Sequence, residues 1–290
     1  MTSSIDVLIV FYNSERFVAP LFRSLRRITI PITLYCLDNG SKDHTAGEVA
    51  AELSKVAFPV YFFRSQTNNG FARGVNLLAH QGDGEFLFLL NPDSEIQDGC
   101  LEKLLERMQS HSQIGICEAR QAPREHPKTY NSETGETTWC SGAASLVRRK
   151  AFEQFGGFDE RLFFMYCEDV DLSWKFWHSG WKCVYVPGAV SQHFTQDLSP
   201  NKSRFRENYF TFRNSLFLYY RFGSWDGHSL CWQFLWKRLL CSKYTLRSRF
   251  LFTIAFIDHI RYIPYLLNTR HSWSDRKHPW VRLEETSLAG

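Results

Sequence analysis

Three carboxylates stand inside one aromatic stretch, "RLFFMYCEDVDLSWKFWHSGW" (161–181): Glu168, Asp169 and Asp171. A carboxylate has an ordinary pKa near ~4. It cannot fully ionise an alcohol, but it can take the proton while a new bond forms to the oxygen. One of the three could therefore act as general base toward an acceptor hydroxyl. A structural role is equally concrete. "DVDLSWKFWHSG" reads as a helix ending at Gly180, with Asp169 as N-cap and Asp171 favourable in its first turn.

Other residues able to do chemistry gather in three polar clusters, each after an apolar run. "LDNGSKD" sets Asp38 and Asn39 at one tip, and "QTNNGFARGVN" brings Asn68, Asn69, Gly70 and Arg73. "LLNPDSE" brings Asn91, Asp93 and Glu95. Singly, such residues are often turns or helix caps. Together they suit a ligand crevice, because open α/β sheets bind ligands beyond the carboxyl ends of their strands. A carboxylate with an amide neighbour suits Mg2+ or Mn2+, hard ions that also bridge diphosphate oxygens. Such an ion would neutralise a departing nucleoside diphosphate. Asp93 is then the candidate metal ligand, and Asp38, lying deeper, the contact to ribose or base. Neither GxGxxG nor GxxxxGK[ST] is present, which disfavours a Rossmann dinucleotide site and a P-loop. A base opposite the leaving group implies single displacement with inversion.

The elements that must position these residues are readable for the first hundred positions. Strand-length apolar runs at 5–11, 32–37, 59–64 and 85–90 alternate with helical spacing at 15–27, 44–55 and 70–81. Pro20 falls early in the first helix. This alternation predicts an α/β fold with a mostly parallel central sheet flanked by helices. A further helix runs to about 110, "GICEA" (115–119) is a strand, 121–138 is a polar surface excursion, and "GAASLVRR" regains strand character. Beyond 202 the chain reads as helices at 201–222, 228–243 and 246–268.

The helical end differs from the body in charge. Net charge is +4, yet residues 202–270 hold twelve Lys/Arg against three Asp/Glu, so the remainder is acidic. A basic, aromatic tail suits an anionic surface. No zinc-finger, RRM or helix-turn-helix signature supports nucleic acid, which leaves membrane. The longest uncharged apolar run there, "FLFTIAFI", is far shorter than the ~20 residues of a bilayer span. The tail is expected to lie on the cytoplasmic membrane surface, to pack on the sheet, or to pair two copies as a homodimer. Eight cysteines without CxxC spacing, and no signal peptide, suggest reduced thiols and a cytoplasmic protein, peripheral to the inner face of the membrane.

Taken in order, "IVFYNS", "LDNGSKD", "NNGFARGVN", "FLLNPDSE", "WCSGAASLVRRKAFEQFGGFDE", "FFMYCEDVDL" and "GWKCVYVPGAVSQH" resemble family 2 glycosyltransferases of the GT-A fold group. The resemblance is strongest to the bacterial rhamnosyltransferase-like branch and covers roughly residues 5–215. It implies that Asp38 recognises the nucleotide, and that Asn91-Pro92-Asp93 stands for a DxD motif with Asn first and Asp93 as principal metal ligand. It implies Asp169 as catalytic base, and His193 as completing the metal or diphosphate site. Trp139, Gly142 and Ala143 would line the donor-sugar and acceptor pocket. Phe163 to Tyr166 would shape the acceptor entrance and Glu168 would position the base or touch the acceptor. Trp174 and Trp177 would pack against the sheet. The QxxRW motif of processive members is absent, which favours transfer of one or a few sugars.

The expectation is a GT-A domain over 1–220 and a helical, basic extension over 221–290. The expected activity is inverting, metal-dependent sugar transfer to a lipid-linked or surface-polysaccharide hydroxyl. The donor would be dTDP-L-rhamnose or a UDP-hexose. A nucleotidyltransferase of similar topology would need a glycine-rich N-terminal loop, and "FYNSERF" has no glycine. A catalytically silent binding subunit is the third alternative.

Overall fold

The computed structural model describes residues 4–126, 128–194, 205–223, 226–270 and 278–283. Eighteen elements follow in order: β1 (Ile5–Phe11), α1 (Glu15–Leu25), β2 (Ile32–Asn39), α2 (Thr45–Leu53), β3 (Val60–Ser65), α3 (Phe71–Ala79), β4 (Phe86–Leu90), β5 (Ser94–Ile96), α4 (Cys100–Ser110), β6 (Ile114–Ala122), β7 (Ala144–Arg148), α5 (Arg149–Glu153), α6 (Glu168–His178), β8 (Lys182–His193), α7 (Phe205–Phe222), α8 (Gly227–Leu240), α9 (Leu246–Ile260) and α10 (Ile263–Arg270).

The eight strands form one sheet in the order β3-β2-β1-β4-β7-β6-β8-β5. β1, β2, β3 and β4 pair in parallel, as does β8 with β6. β7 runs antiparallel to both β4 and β6, and β5 antiparallel to β8. The parallel half expected from strand–helix alternation is therefore joined to a mixed half.

β1 shows why the first strands read as unbroken apolar runs. Its odd residues Ile5, Val7, Ile9 and Phe11 enter one core with α1 and α4, while Leu8 and Val10 enter the other with α3 and α6. A strand buried on both faces has no polar alternation. Asp6 is the exception, and its charge is answered by Arg149 at 2.6 Å. β2 and β3 lie on one side of β1 and β4 on the other, so the loops after these strands diverge and open a crevice.

The second core does not stop at the sheet. It continues through Phe212, Leu216 and Phe217 of α7 to Phe252 and Phe256 of α9 and Leu266 of α10. The boundary expected at 220 falls inside α7. The helix expected over 246–268 is two helices, α9 and α10, meeting at a 60° bend. All eight cysteines are unpaired; seven are buried, and Cys241, between α8 and α9, is only partly so.

Candidate active site

Asp38 is the penultimate residue of β2 and is buried, opposite Phe11 of β1. Its Oδ1 accepts a hydrogen bond from the Ser41 backbone N–H at 3.1 Å, and Arg64 stands 3.7 Å from Oδ2. Asn39 looks the other way. Its Nδ2 donates to Asn68 Oδ1 at 3.2 Å and the Gly70 carbonyl at 3.0 Å, and its Oδ1 accepts from the Asn69 N–H at 3.0 Å. Asn39 and Asn68 therefore fasten the 67–70 loop beside Asp38. Close approach is built in. Gly40 has φ +78°, and a Cβ there would lie 2.6 Å from the Thr67 carbonyl carbon. Gly70 has φ +90°, and its Cβ would meet the Phe164 carbonyl oxygen at 2.4 Å. That carbonyl takes the Phe71 N–H at 2.7 Å, which carries the crevice wall across to the segment before α6.

The second half of the crevice hangs on residues 139–143. The Asn91 N–H donates to the Ala143 carbonyl at 2.8 Å. The Gly142 N–H donates to Asp169 Oδ2 at 3.1 Å. The Ser141 N–H donates to Glu118 Oε2 at 3.0 Å. Adjacent residues 142 and 143 thus tie Asp169 to the Asn91-Pro92-Asp93 turn. Trp139 is buried under Lys128, whose ammonium lies 4.0 Å from the ring centroid, so it is a wall of the site rather than an open platform. Lys128 also pairs with buried Glu118.

His193 ends β8, with its Nε2 3.2 Å from Asp93 Oδ1. Its Nδ1 lies 2.8 Å from Gln121 Oε1, and the Gln121 amide nitrogen donates to Glu118 Oε1 at 3.3 Å. That arrangement orients the ring so that Nε2 faces the Asp93 carboxylate. Nε2 is buried and has no hydrogen-bond partner. An imidazole nitrogen and a carboxylate so placed are ligand types that could hold a cation between them.

The three acids of α6 have three environments. Cys167, not Asp169, is the N-cap; Asp169 is the second helical residue. Asp169 Oδ1 accepts from the Val170 N–H at 2.8 Å. Burial pushes its pKa up, against the opposing pull of the Gly142 and Val170 N–H groups. Glu168 is driven well above the usual carboxylate range by burial and then by the neighbouring Asp169 charge, and its Oε2 has no partner. Asp171 is the reverse. Burial alone would raise its pKa, but Arg221 and Lys175, each 2.6 Å away, hold it below its ordinary value.

Tyr166 and Cys167 both adopt left-handed backbone, φ +68° and +66°, just before Glu168. Non-glycine residues hold this conformation only where their surroundings impose it. Here Asn214 of α7 imposes it, its Nδ2 donating to the Met165 and Tyr166 carbonyls at 2.9 and 2.7 Å. Arg213 beside it donates to the Leu162 carbonyl at 3.2 Å. Asn214, Arg213, Gln121, Glu118 and Lys128 all escape a reading by motif. Glu118 left one trace, a lone acid within the apolar run "GICEA". Arg73 is the residue the crevice does not gather. It points toward Glu160 at 3.9 Å and lines a separate cleft of about 940 Å³ with Arg161 and Tyr265. Trp174 meets α7 as well, its ring edge-on to Phe222 at 5.2 Å.

Hydrogen bonds thus tie the Asn-Pro-Asp turn to the helix-borne acid, and the loop beside the strand-tip acid to the segment before that helix. The model of "Glycosyl transferase family 2" matches residues 6–156. The chain belongs to glycosyltransferase family 2. It is 30% identical over 243 residues to the N-acetylglucosaminyl-diphospho-decaprenol L-rhamnosyltransferase of Mycobacterium tuberculosis, covering 67% of this chain and 76% of that one. It is 36% identical to the rhamnosyltransferase WbbL of Escherichia coli over 81 residues, 28% of this chain and 30% of that one. Among solved structures, this glycosyltransferase superposes on a mannosyltransferase of Pyrobaculum calidifontis, crystallised with GDP-Man and Mn2+, with a TM-score of 0.62 at 14% identity over 100% of this chain and 80% of that one. It superposes on TarS of S. aureus, crystallised with UDP-GlcNAc, with a TM-score of 0.62 at 17% identity over 93% and 88%. These likenesses give the glycosyltransferase its GT-A fold.

Proposed function

We propose that this glycosyltransferase moves one sugar, with inversion, from a nucleoside-diphosphate sugar to a hydroxyl of a lipid-linked saccharide. The donor is dTDP-L-rhamnose or a UDP-hexose; the rhamnosyltransferase relatives favour the first. Asp38 and the loop fastened by Asn39 and Asn68 receive the nucleotide. The acceptor oxygen bonds to the anomeric carbon on the face away from the diphosphate. The bond to the diphosphate breaks and its electron pair leaves with the nucleotide, while the acceptor proton passes to the Asp169 carboxylate. The raised pKa of Asp169 makes it a better proton acceptor than an exposed carboxylate. Glu168, kept neutral beside it, avoids a second negative charge at the base.

The Asp93 carboxylate and His193 Nε2, 3.2 Å apart, would hold a Mg2+ or Mn2+ ion and bring its charge to a bound diphosphate. Among the described residues there is no cluster of three metal-binding side chains. When bound, the ion offsets charge on the leaving diphosphate. A lipid-linked acceptor puts the enzyme at the cytoplasmic face of a membrane as a peripheral protein.

The observation that carries this reading is the pair of hydrogen bonds through Gly142 and Ala143, which join the base to the Asn-Pro-Asp turn. Asp169→Asn tests it. Transfer is expected to fall by about 10²–10⁴, while thermal stabilisation by dTDP or UDP with Mn2+ persists. Undiminished transfer would exclude Asp169 as the base. No stabilisation of the native chain by any nucleotide with metal would favour a silent binding subunit.

A further inference from the structure

The last helices turn apolar side chains outward. Of the fourteen large apolar residues exposed among the described residues, nine lie between 232 and 267. On α9 they are Leu246, Phe250, Ile254, Ile257 and Ile260. At ~100° per residue these five fall within an arc of about 120°, a single stripe along the helix. The opposite side of α9, with Leu251, Phe252, Ala255 and Phe256, is buried on the core. On α8, Trp232, Trp236 and Leu240 recur every fourth residue and form a second exposed stripe. Leu246 and Leu240, at the turn joining the two helices, are 82% and 76% exposed, more than any other large apolar residue described. Monomeric soluble proteins rarely leave so much apolar surface in one place without a partner.

The charge around this face selects the partner. Lys237, Lys243 and Arg247 are exposed around the same turn, and none has a carboxylate partner among the described residues. From Gly227 to Arg270 the single acid is Asp258, and it is spent on Arg213, Arg261 and Tyr209. A protein partner would have to match both an aromatic stripe and a cluster of unanswered cations. An anionic lipid surface does so by its nature, taking Trp and Phe into the headgroup boundary and Lys and Arg onto the phosphates. Spanning is not an option for these helices singly, because no single helix among the described residues is long and apolar enough to cross. With fifteen residues, α9 is about 22 Å long against the ~30 Å hydrocarbon core.

We infer that the joined faces of α8 and α9 are a docking surface for anionic lipid, with Trp236, Leu240, Leu246 and Phe250 entering the interface and the turn cations holding the headgroups. The face also lies close to the chemistry. α7 packs against both α8 and α9, and through Asn214 it holds the segment that precedes Asp169. Two helix layers, α8/α9 and then α7, about 20 Å in all, thus separate the lipid surface from the segment that precedes Asp169. The inference gives the proposed lipid-linked acceptor its route of approach, and it is tested without donor or acceptor, so its failure leaves the transferase reading standing.

The test is flotation of the full-length chain with phosphatidylcholine vesicles, with and without phosphatidylglycerol, alongside Phe250→Glu, Trp236→Glu and the charge variant Lys243→Gln/Arg247→Gln. The native chain should float with phosphatidylglycerol vesicles and release as salt is raised. Each Glu variant should bind on the order of tenfold more weakly or worse, with an unchanged circular-dichroism melt because the side chains are exposed. The charge variant should lose most of the preference for phosphatidylglycerol. A native chain that floats with neither vesicle overturns the inference. Equal flotation of Phe250→Glu and Trp236→Glu also overturns it. So does a native dimer, seen by sedimentation, that Phe250→Glu splits while vesicle binding is absent; the face would then join two copies.

Discussion

α7 and α9 both set arginines among Phe, Leu and Ile or Tyr, and they dispose of them in opposite ways. From Phe212 to Phe222 every side chain of α7 is buried, Arg213 and Arg221 included. α9 buries one side only and leaves Arg247 in solvent beside Leu246 and Phe250. The difference lies in what the neighbouring elements offer. Arg221 finds Asp159 and Asp171 at 2.6 Å each, and Arg213 finds Asp258 at 3.1 Å and the Leu162 carbonyl. Burial of a cation is tolerable only when carboxylates await it. Among the described residues no carboxylate pairs with Lys237, Lys243 or Arg247 at the turn between α8 and α9, and these cations stay outside. Composition alone makes the two helices alike; partner supply makes one a structural beam and the other a surface.

The strongest way to break this contrast is Arg221→Leu. Asp159 would lose its guanidinium and Asp171 would keep only Lys175. Because the charges are buried, the loss should reach ~3–5 kcal/mol, read by denaturant unfolding. A loss below ~1 kcal/mol would mean that packing alone holds α7. Asn214→Ala should cost less, ~1–3 kcal/mol, but it releases the left-handed Tyr166–Cys167 backbone. Transfer should then fall by at least about tenfold with nucleotide stabilisation kept. Unaltered transfer would separate α7 from any role in placing Asp169.

A third change compares two acids on α6. Glu168 has no cation partner among the described residues, and its pKa is raised by burial; Asp171 has two, and its pKa is lowered. A raised native pKa means the folded state holds the proton more tightly than the unfolded chain. Stability from Glu168 is therefore full below the unfolded value of ~4.3 and declines as pH rises toward the native value. Asp171 runs the other way, stabilising above ~3.9 and losing that contribution as pH falls through its lower native value. Glu168→Gln should shrink the decline with rising pH to the part that Asp169, its pKa also raised by burial, contributes, and should leave the acid-side loss. An unchanged pH–stability curve would show that Glu168 is not buried neutral. The smallest effect belongs to the exposed side of the contrast. Lys237→Gln should alter unfolding by no more than ~0.5 kcal/mol, and a change above ~1 kcal/mol would show that α8 packs that face against protein.

What the sequence revealed follows the same division. β1, β2 and β4 were legible because strands buried on both faces are apolar throughout, β3 because its half-buried edge still reads as an apolar run, and Asp38, Asn91 and Asp93 were legible because they punctuate those runs. β8 was harder. Pro187 and Gly188 interrupt it, and its pairing with β6 shifts register there, so neither alternation nor an unbroken run marks it. His193 was visible by resemblance, while Gln121, which orients its ring, was not. Their link is a contact across 72 residues of chain and leaves no local spacing. The position of Asp169 in α6 differed from the N-cap reading because Cys167 takes the left-handed turn, a conformation no sequence rule assigns to cysteine.

The cysteine inventory has a practical side. Seven thiols are shut inside the protein, and burial raises the pKa of Cys36, Cys117, Cys140 and Cys167 far from the reactive range. Cys241 is the partly open exception, and it sits in the turn between Leu240 and Leu246. The native chain therefore offers one favoured attachment point for a polarity-sensitive dye, at the place where water and lipid would exchange. No residue needs replacing for the molecule to report, by the colour of that dye, which of the two it is touching.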